Sequence, residues 1–189
     1  MKYQNDLFIS LTDAALAAGA HNAAIIETKN IVTDLIFREI CEKNSCGGYG
    51  KCWMCPPDVG SAEKLISSIG EYDYVLVYQY VGELEDSFDI EGMENAKKAY
   101  NKVVGKIRKL SANFGAKKVL NLGAGGCGVC DICAKRDGMP CRFPELATPS
   151  LEAYCINVSK LAASAGMKYI NGANTVTYFG AVLFSFVGE

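Results

Sequence analysis

The sequence predicts an α/β or α+β fold, with a mixed sheet of about five strands, flanking helices and cysteine-rich loops that hold the metal sites. Segments of helical periodicity alternate with short runs rich in valine, isoleucine and tyrosine over most of the chain. The length of 189 residues and the 50% hydrophobic content suit one globular domain spanning residues 1–189.

The first half of the chain is predicted to contain three helices and two strands. The helices are expected at residues 4–19, 33–43 and 61–70, and the strands at residues 23–27 and 74–81. Ser61 is suited to cap the third helix. The second helix ends at Cys41, so regular structure stops where the first cysteines begin.

The second half is predicted to contain two helices and three strands. The helices are expected at residues 91–114 and 149–164, and the strands at residues 119–122, 167–170 and 176–186. Thr148 and Pro149 suit the cap and the first position of the later helix. The turn sequence Asn-Gly-Ala-Asn separates the last two strands, which we expect to form a buried hairpin.

Charge and patterning argue against nucleic acid or a membrane as partner. The net charge is −2, and Asp6 and Asp13 interrupt any apolar segment of a secretory signal. Residues 169–188 carry no charge, but their polar side chains would be costly in lipid. A cytoplasmic location is therefore expected.

Eight of the nine cysteines fall in two blocks that are far apart in sequence. The first block is Cys41, Cys46, Cys52 and Cys55, and the second is Cys127, Cys130, Cys133 and Cys141. Grouped cysteines in a cytoplasmic chain indicate metal binding rather than disulfides. The C-x-x-C-x-x-C spacing of the second block is typical of iron–sulfur ligation, and nearby glycines can turn backbone N–H groups toward the sulfurs. A zinc site is the alternative, although the one histidine, His21, lies outside both blocks.

Together the motifs CEKNSCGGYGKCWMCPPDVG, CGVCDICAKRDGMPCRFP, PSLEAYCINV and NGANTVTYFG resemble the predicted metal-binding protein family known as domain of unknown function 2284. The resemblance covers most of the chain and implies metal binding, as an iron–sulfur site, without a settled activity. The matching positions that it implies as ligands are Cys41, Cys46, Cys55, Cys127, Cys130, Cys133 and Cys141.

Two cysteines depart from the pattern of that family. The family has asparagine where Cys52 stands and glycine where Cys155 stands. Cys52 is therefore either an eighth ligand or an idle neighbour, and Cys155 is expected to be a core thiol. Seven ligands do not divide into two sets of four, so the resemblance leaves open two complete clusters, or one complete cluster and a site with an open position.

The pairing of ligands across the blocks also stays open. By analogy with two-cluster ferredoxins, Cys55 would complete the set of Cys127, Cys130 and Cys133. Cys141 would then join Cys41 and Cys46. A cluster that takes ligands from both blocks requires the two blocks to lie close together.

Other polar and aromatic residues near the blocks have both a functional and a structural interpretation. Tyr49 and Trp53 either shield a cluster or belong to the core. Arg142 either offsets cluster charge or forms a structural salt bridge. Glu152 is a proton donor, a substitute ligand or a carboxylate at a helix N-terminus. The basic residues of the 91–114 helix form either a docking face for an acidic redox partner or a solvated face.

Three functions follow from these observations. The first is an iron–sulfur protein with a [4Fe–4S] cluster that transfers electrons or supports a redox partner protein in anaerobic metabolism. The second is an enzyme that uses an open iron position as a Lewis acid. The third is a zinc-stabilised interaction module. The sequence does not decide whether the protein is an enzyme, nor its oligomeric state.

Overall fold

The computed structural model describes residues 2–186. The helices are α1 Lys2–Ala17, α2 Ile36–Glu42, α3 Ala62–Ile69, α4 Ile90–Ser111 and α5 Val158–Ser164. The strands are β1 Asn22–Glu27, β2 Tyr74–Glu83, β3 Lys118–Leu122 and β4 Thr175–Ser185. Short 3-10 turns occur at Thr28–Asn30, Ala134–Asp137 and Glu152–Tyr154. The predicted combination of helices and sheet is thus confirmed.

The sheet differs from the prediction in its strand number and direction. In the part of the chain that the structure describes it has four strands, in the order β1-β2-β4-β3, and every neighbouring pair is antiparallel. The predicted mixed sheet of about five strands is therefore wrong, and α+β is the appropriate class. The predicted strand at residues 167–170 does not form, because the Met167 amide donates to Ala162 O and closes the end of α5.

Helices cover both faces of the sheet, because successive side chains of the central strand β2 point to opposite sides. Val75 and Val77 join the core beneath α3 and α5, while Leu76 and Tyr78 join the core beneath α1 and α4. All four side chains are almost completely buried. The result is a three-layer arrangement in which both faces of the antiparallel sheet are covered.

A close approach between the two central strands requires a glycine. Gly180 of β4 is the register partner of Tyr78 in β2, and a Cβ atom at Gly180 would lie 2.3 Å from Cζ of the Tyr78 ring. The Tyr100 hydroxyl of α4 donates to Phe179 O over 2.7 Å. Burial raises the pKa of both tyrosines, so both stay neutral.

The helix predicted at residues 149–164 begins later than expected. Cys155 takes a left-handed φ of 59° after the Glu152–Tyr154 turn, which ends the helical path. Asn157 then caps α5, since its side chain accepts from Lys160 N over 3.1 Å. The predicted cap at Thr148 is therefore wrong.

More than half of the uncharged C-terminal stretch belongs to the sheet. β4 occupies residues 175–185, and most of its side chains are buried between the helical layers. The predicted hairpin is wrong, because its first strand is absent, and residues 187–189 lie outside the described part. Among the described helices, none combines the length and apolar character that crossing a membrane requires.

Candidate metal centre

Two segments that lie mostly outside regular structure carry the cysteine blocks. The first follows α2, whose last turn contains Cys41, and the second follows β3. The Trp53 indole donates to Met139 O over 3.0 Å, and Lys135 Nζ lies 2.5 Å from Asp58 Oδ1. Lys135 Nζ also lies 4.2 Å from the centre of the Trp53 ring. The two blocks are thus in contact, as predicted.

Five cysteines from both blocks line one small cavity of about 40 Å³: Cys52, Cys127, Cys130, Cys133 and Cys141. Trp53, Val129 and Phe143 also line this cavity. The Thr148 amide donates to Cys127 Sγ over 3.4 Å. We call this cavity the five-cysteine cavity. It combines soft thiol donors with a largely apolar wall.

Cys52 lies at the junction of the two blocks. Hydrogen bonding with the Cys55 side chain is the largest cause that lowers the pKa of Cys52 to about 5, against the opposing effect of burial. The backbone of Cys127 and Met54 and the Cys133 side chain lower this pKa further. The contact between Cys52 and Cys55 raises the pKa of Cys55. Cys52 therefore favours the thiolate form, the form that binds metals.

The other three cysteines of the first block, Cys41, Cys46 and Cys55, line a second and larger cavity of about 240 Å³. Glu152 also lines this cavity. A Cβ atom added at Gly48 would lie 3.3 Å from Cys55 Sγ and 3.7 Å from Cys46 Sγ, so glycine there leaves space for both sulfurs. Burial, and then Glu152, raise the pKa of Cys41. We call this cavity the three-cysteine cavity.

The grouping of cysteines differs from the ferredoxin analogy. Cys55 lies with the other cysteines of its own block, and Cys141 lies with the second block. Cys46 and Cys55 both lie next to Gly48 and line one cavity, a grouping that follows the blocks rather than the crossed pairing. The residue that crosses between the blocks is Cys52 instead.

Glu152 lines the three-cysteine cavity, and the Lys97 ammonium lies behind its wall, near Gly125. Oε2 of Glu152 is buried and has no hydrogen-bond partner among the described residues. Nζ of Lys97 donates to Ala124 O and lies 4.8 Å from the Tyr100 ring centre and 5.2 Å from that of Tyr178. Burial lowers the pKa of Lys97, while Glu152 raises it.

From the sequence, Lys97 and Arg108 were assigned only to the basic face of the 91–114 helix, and the separate roles of the two side chains were not predicted. Arg108 donates to Leu146 O over 2.8 Å and so holds the segment that follows the second block. Because the two residues are three helical turns apart, both lie on one flank of α4 beside its apolar stripe. Their position beside the apolar stripe was the sequence signal that could have separated these two residues from the other basic residues of the helix.

Several other residues have structural positions. Cys155 is completely buried, which confirms that it is a core thiol. His21 accepts a hydrogen bond from the Val81 amide through Nδ1 and packs on Tyr80. Arg142 donates to Ile132 O over 3.1 Å within the second block. Trp53 faces the five-cysteine cavity, and Tyr49 faces the three-cysteine cavity.

A family model described as "Predicted metal-binding protein (DUF2284)" matches residues 24–184. The chain belongs to this family. The match includes α2 to α5, all but the ends of the sheet, and both cysteine blocks. No curated protein and no solved structure matches the chain significantly. Membership of this predicted metal-binding family agrees with the nine cysteines of the sequence.

A cluster and a single metal ion require different spacings of their thiolate ligands. A tetrahedral zinc ion draws its thiolates to roughly 3.8 Å from one another. Among the described residues, no three histidine, cysteine, aspartate or glutamate side chains converge on a position for one ion. An iron–sulfur cube binds each cysteine through a different iron, so its thiolates stand farther apart around a cavity. In this family member the thiols therefore line cavities without converging on one position.

Proposed function

We propose that this protein is a cytoplasmic iron–sulfur protein of anaerobic metabolism that exchanges electrons with a redox partner protein. The observation that carries the proposal is the five-cysteine cavity, in which both blocks contribute thiols to one apolar chamber. Its ligands for a [4Fe–4S] cluster would be Cys127, Cys130, Cys133 and Cys141. When bound, such a cluster changes its charge by one electron.

Cys141 is a better fourth ligand than Cys52. The sulfurs that bind a cube stand apart, whereas Cys52 is within hydrogen-bond reach of the Cys133 thiol. In this proposal Cys52 lies beside the cluster and connects it to Cys55.

The surroundings of the cavity suit electron exchange at the surface. The Thr148 amide hydrogen bond to Cys127 would stabilise a thiolate ligand, and such bonds tune the cluster potential. Phe143, which lines the cavity, is 42% exposed, and Ile132 and Met139 nearby are 60% and 59% exposed. An apolar surface next to a cluster provides a short path to a docked partner.

Metal analysis after anaerobic purification tests the proposal. We expect iron and acid-labile sulfide in equal amounts, with about four of each lost in Cys130→Ser. Cys155→Ser is the control, since this buried thiol contacts neither cavity. Reduction should change the visible and spin-resonance spectra. Zinc without iron or sulfide would refute the proposal and support the zinc-stabilised module.

A further inference from the structure

We infer that Cys41, Cys46 and Cys55 hold a second [4Fe–4S] cluster, and that Glu152 gives its fourth iron an oxygen ligand that small carboxylates can replace. The inference rests on the proposed function, because it assumes that the protein carries iron–sulfur clusters. It goes further by assigning a role to Glu152 and a class of ligand to the larger cavity.

The three-cysteine cavity offers three thiols and one carboxylate from separate elements. Cys41 is in the last turn of α2, and Glu152 opens the Glu152–Tyr154 turn that packs against α2. Arg38 of α2 fixes this contact by donating to Ala153 O over 3.3 Å and also to Gly60 O. The helix and the turn therefore hold Cys41 and Glu152 on the same cavity.

The Glu152 carboxylate has an unmet need for a partner. Its Oε2 atom is buried without a hydrogen bond among the described residues, which is costly for a carboxylate oxygen. Lys97, the nearby cation, instead directs Nζ to Ala124 O and two aromatic rings. An iron in the cavity would provide the missing partner, since ferrous and ferric ions accept carboxylate ligands.

Space distinguishes the two cavities. The three-cysteine cavity measures about 240 Å³, against about 40 Å³ for the five-cysteine cavity. The larger volume leaves room beside a cluster for a small molecule, and the exposed Cys46 places that room at the surface. A molecule that displaces Glu152 from iron must itself be an oxygen-donor anion, and the Lys97 charge next to Gly125 favours one.

The test compares Glu152→Ala, Glu152→Cys and the control Glu145→Ala in anaerobically purified protein. Glu145 is an exposed glutamate outside the three-cysteine cavity. One equivalent of ferricyanide removes one electron from a cluster with a labile iron, which then releases one Fe²⁺ and leaves a three-iron cluster. We count iron per chain and record the three-iron spin-resonance signal, with and without excess acetate.

We expect wild type and Glu145→Ala to fall from about eight to about seven iron atoms on oxidation, whereas Glu152→Cys keeps all eight. Glu152→Ala should lack the labile iron as purified, and should regain it when acetate, Fe²⁺ and one electron per cluster from dithionite are supplied. Equal iron contents and signals in wild type and Glu152→Ala would overturn the inference. About four irons in wild type, all lost in Cys130→Ser, would overturn it and leave the proposed function intact. No iron would overturn both.

Discussion

Removing the Cys55 thiol should raise the pKa of Cys52 in metal-free, reduced protein. The hydrogen bond from Cys55 is the largest cause that lowers this pKa from its ordinary value of 9.0 to about 5. Cys55→Ala deletes that donor, so the Cys52 thiolate loses its main stabilisation. The reactivity of Cys52 toward an alkylating reagent reports the change, because the thiolate is the nucleophile.

The size of the effect depends on pH. At pH 6 a thiol of pKa about 5 is about 90% ionised, and one of pKa 9.0 is about 0.1% ionised. The less basic thiolate is a weaker nucleophile, by about 60-fold over this range. If the pKa of Cys52 returns fully to 9.0 in Cys55→Ala, Cys52 should react about 15-fold faster in wild type than in the variant at pH 6. At pH 8 the variant should react about 6-fold faster, so the two profiles cross.

Iodoacetamide labelling between about pH 5 and pH 9, followed by mass spectrometry of the Cys52 peptide, measures both profiles. Cys46→Ala is the matched control, because Cys46 shares the cavity of Cys55 but makes no hydrogen bond to Cys52. A wild-type profile that rises only near the ordinary thiol pKa would refute the reasoning. So would identical profiles in wild type and Cys55→Ala.

Three further predictions concern packing and metal removal. Gly180→Ala, whose methyl would lie 2.3 Å from a buried tyrosine ring, should lower the free energy of unfolding by about 1–3 kcal/mol in urea titrations. Gly105→Ala in α4 is the control: its methyl would meet nothing within 4 Å, so it should raise the free energy of unfolding by up to about 1 kcal/mol. Equal changes in the free energy of unfolding for the two variants would contradict the β2–β4 register. Cys155→Ser places a hydroxyl in the core and should cost roughly 1–3 kcal/mol in the same titrations without loss of metal. Removing the metal with a chelator should raise the emission of Trp53, the single tryptophan, since it lines the five-cysteine cavity; unchanged emission would place the metal elsewhere.

The local pattern of apolar, β-branched and aromatic residues was sufficient to predict much of the fold. α4 was predicted closely, at residues 91–114 against Ile90–Ser111, because its apolar residues recur on one face over six turns. β2 and β4 were found because β-branched and aromatic residues are concentrated there. The helix at residues 149–164 was predicted to begin too early because Pro149 is compatible with a helix start. In the structure, the left-handed backbone of Cys155 interrupts the helix.

The arrangement of the cysteines depended on tertiary contacts. Spacing within each block indicated metal binding, but the separation of Cys52 from the other first-block cysteines follows from contacts with Cys127 and Cys133, more than seventy residues away. No local signal encodes such a contact. Lys97 was likewise hidden among other basic residues, although its place beside the apolar stripe of α4 now explains its burial.

The strand order has a consequence for when a bound cofactor reaches its final surroundings. Within the described residues, β3, which leads into the second block, is joined to the sheet only through β4, which follows it by more than fifty residues in the chain. The pairing of β4 with both β2 and β3 therefore fixes the position of the strand from which the second block leaves the sheet. A cluster on the cysteines of this block would then be held in its final surroundings only after β4 has been synthesised and paired.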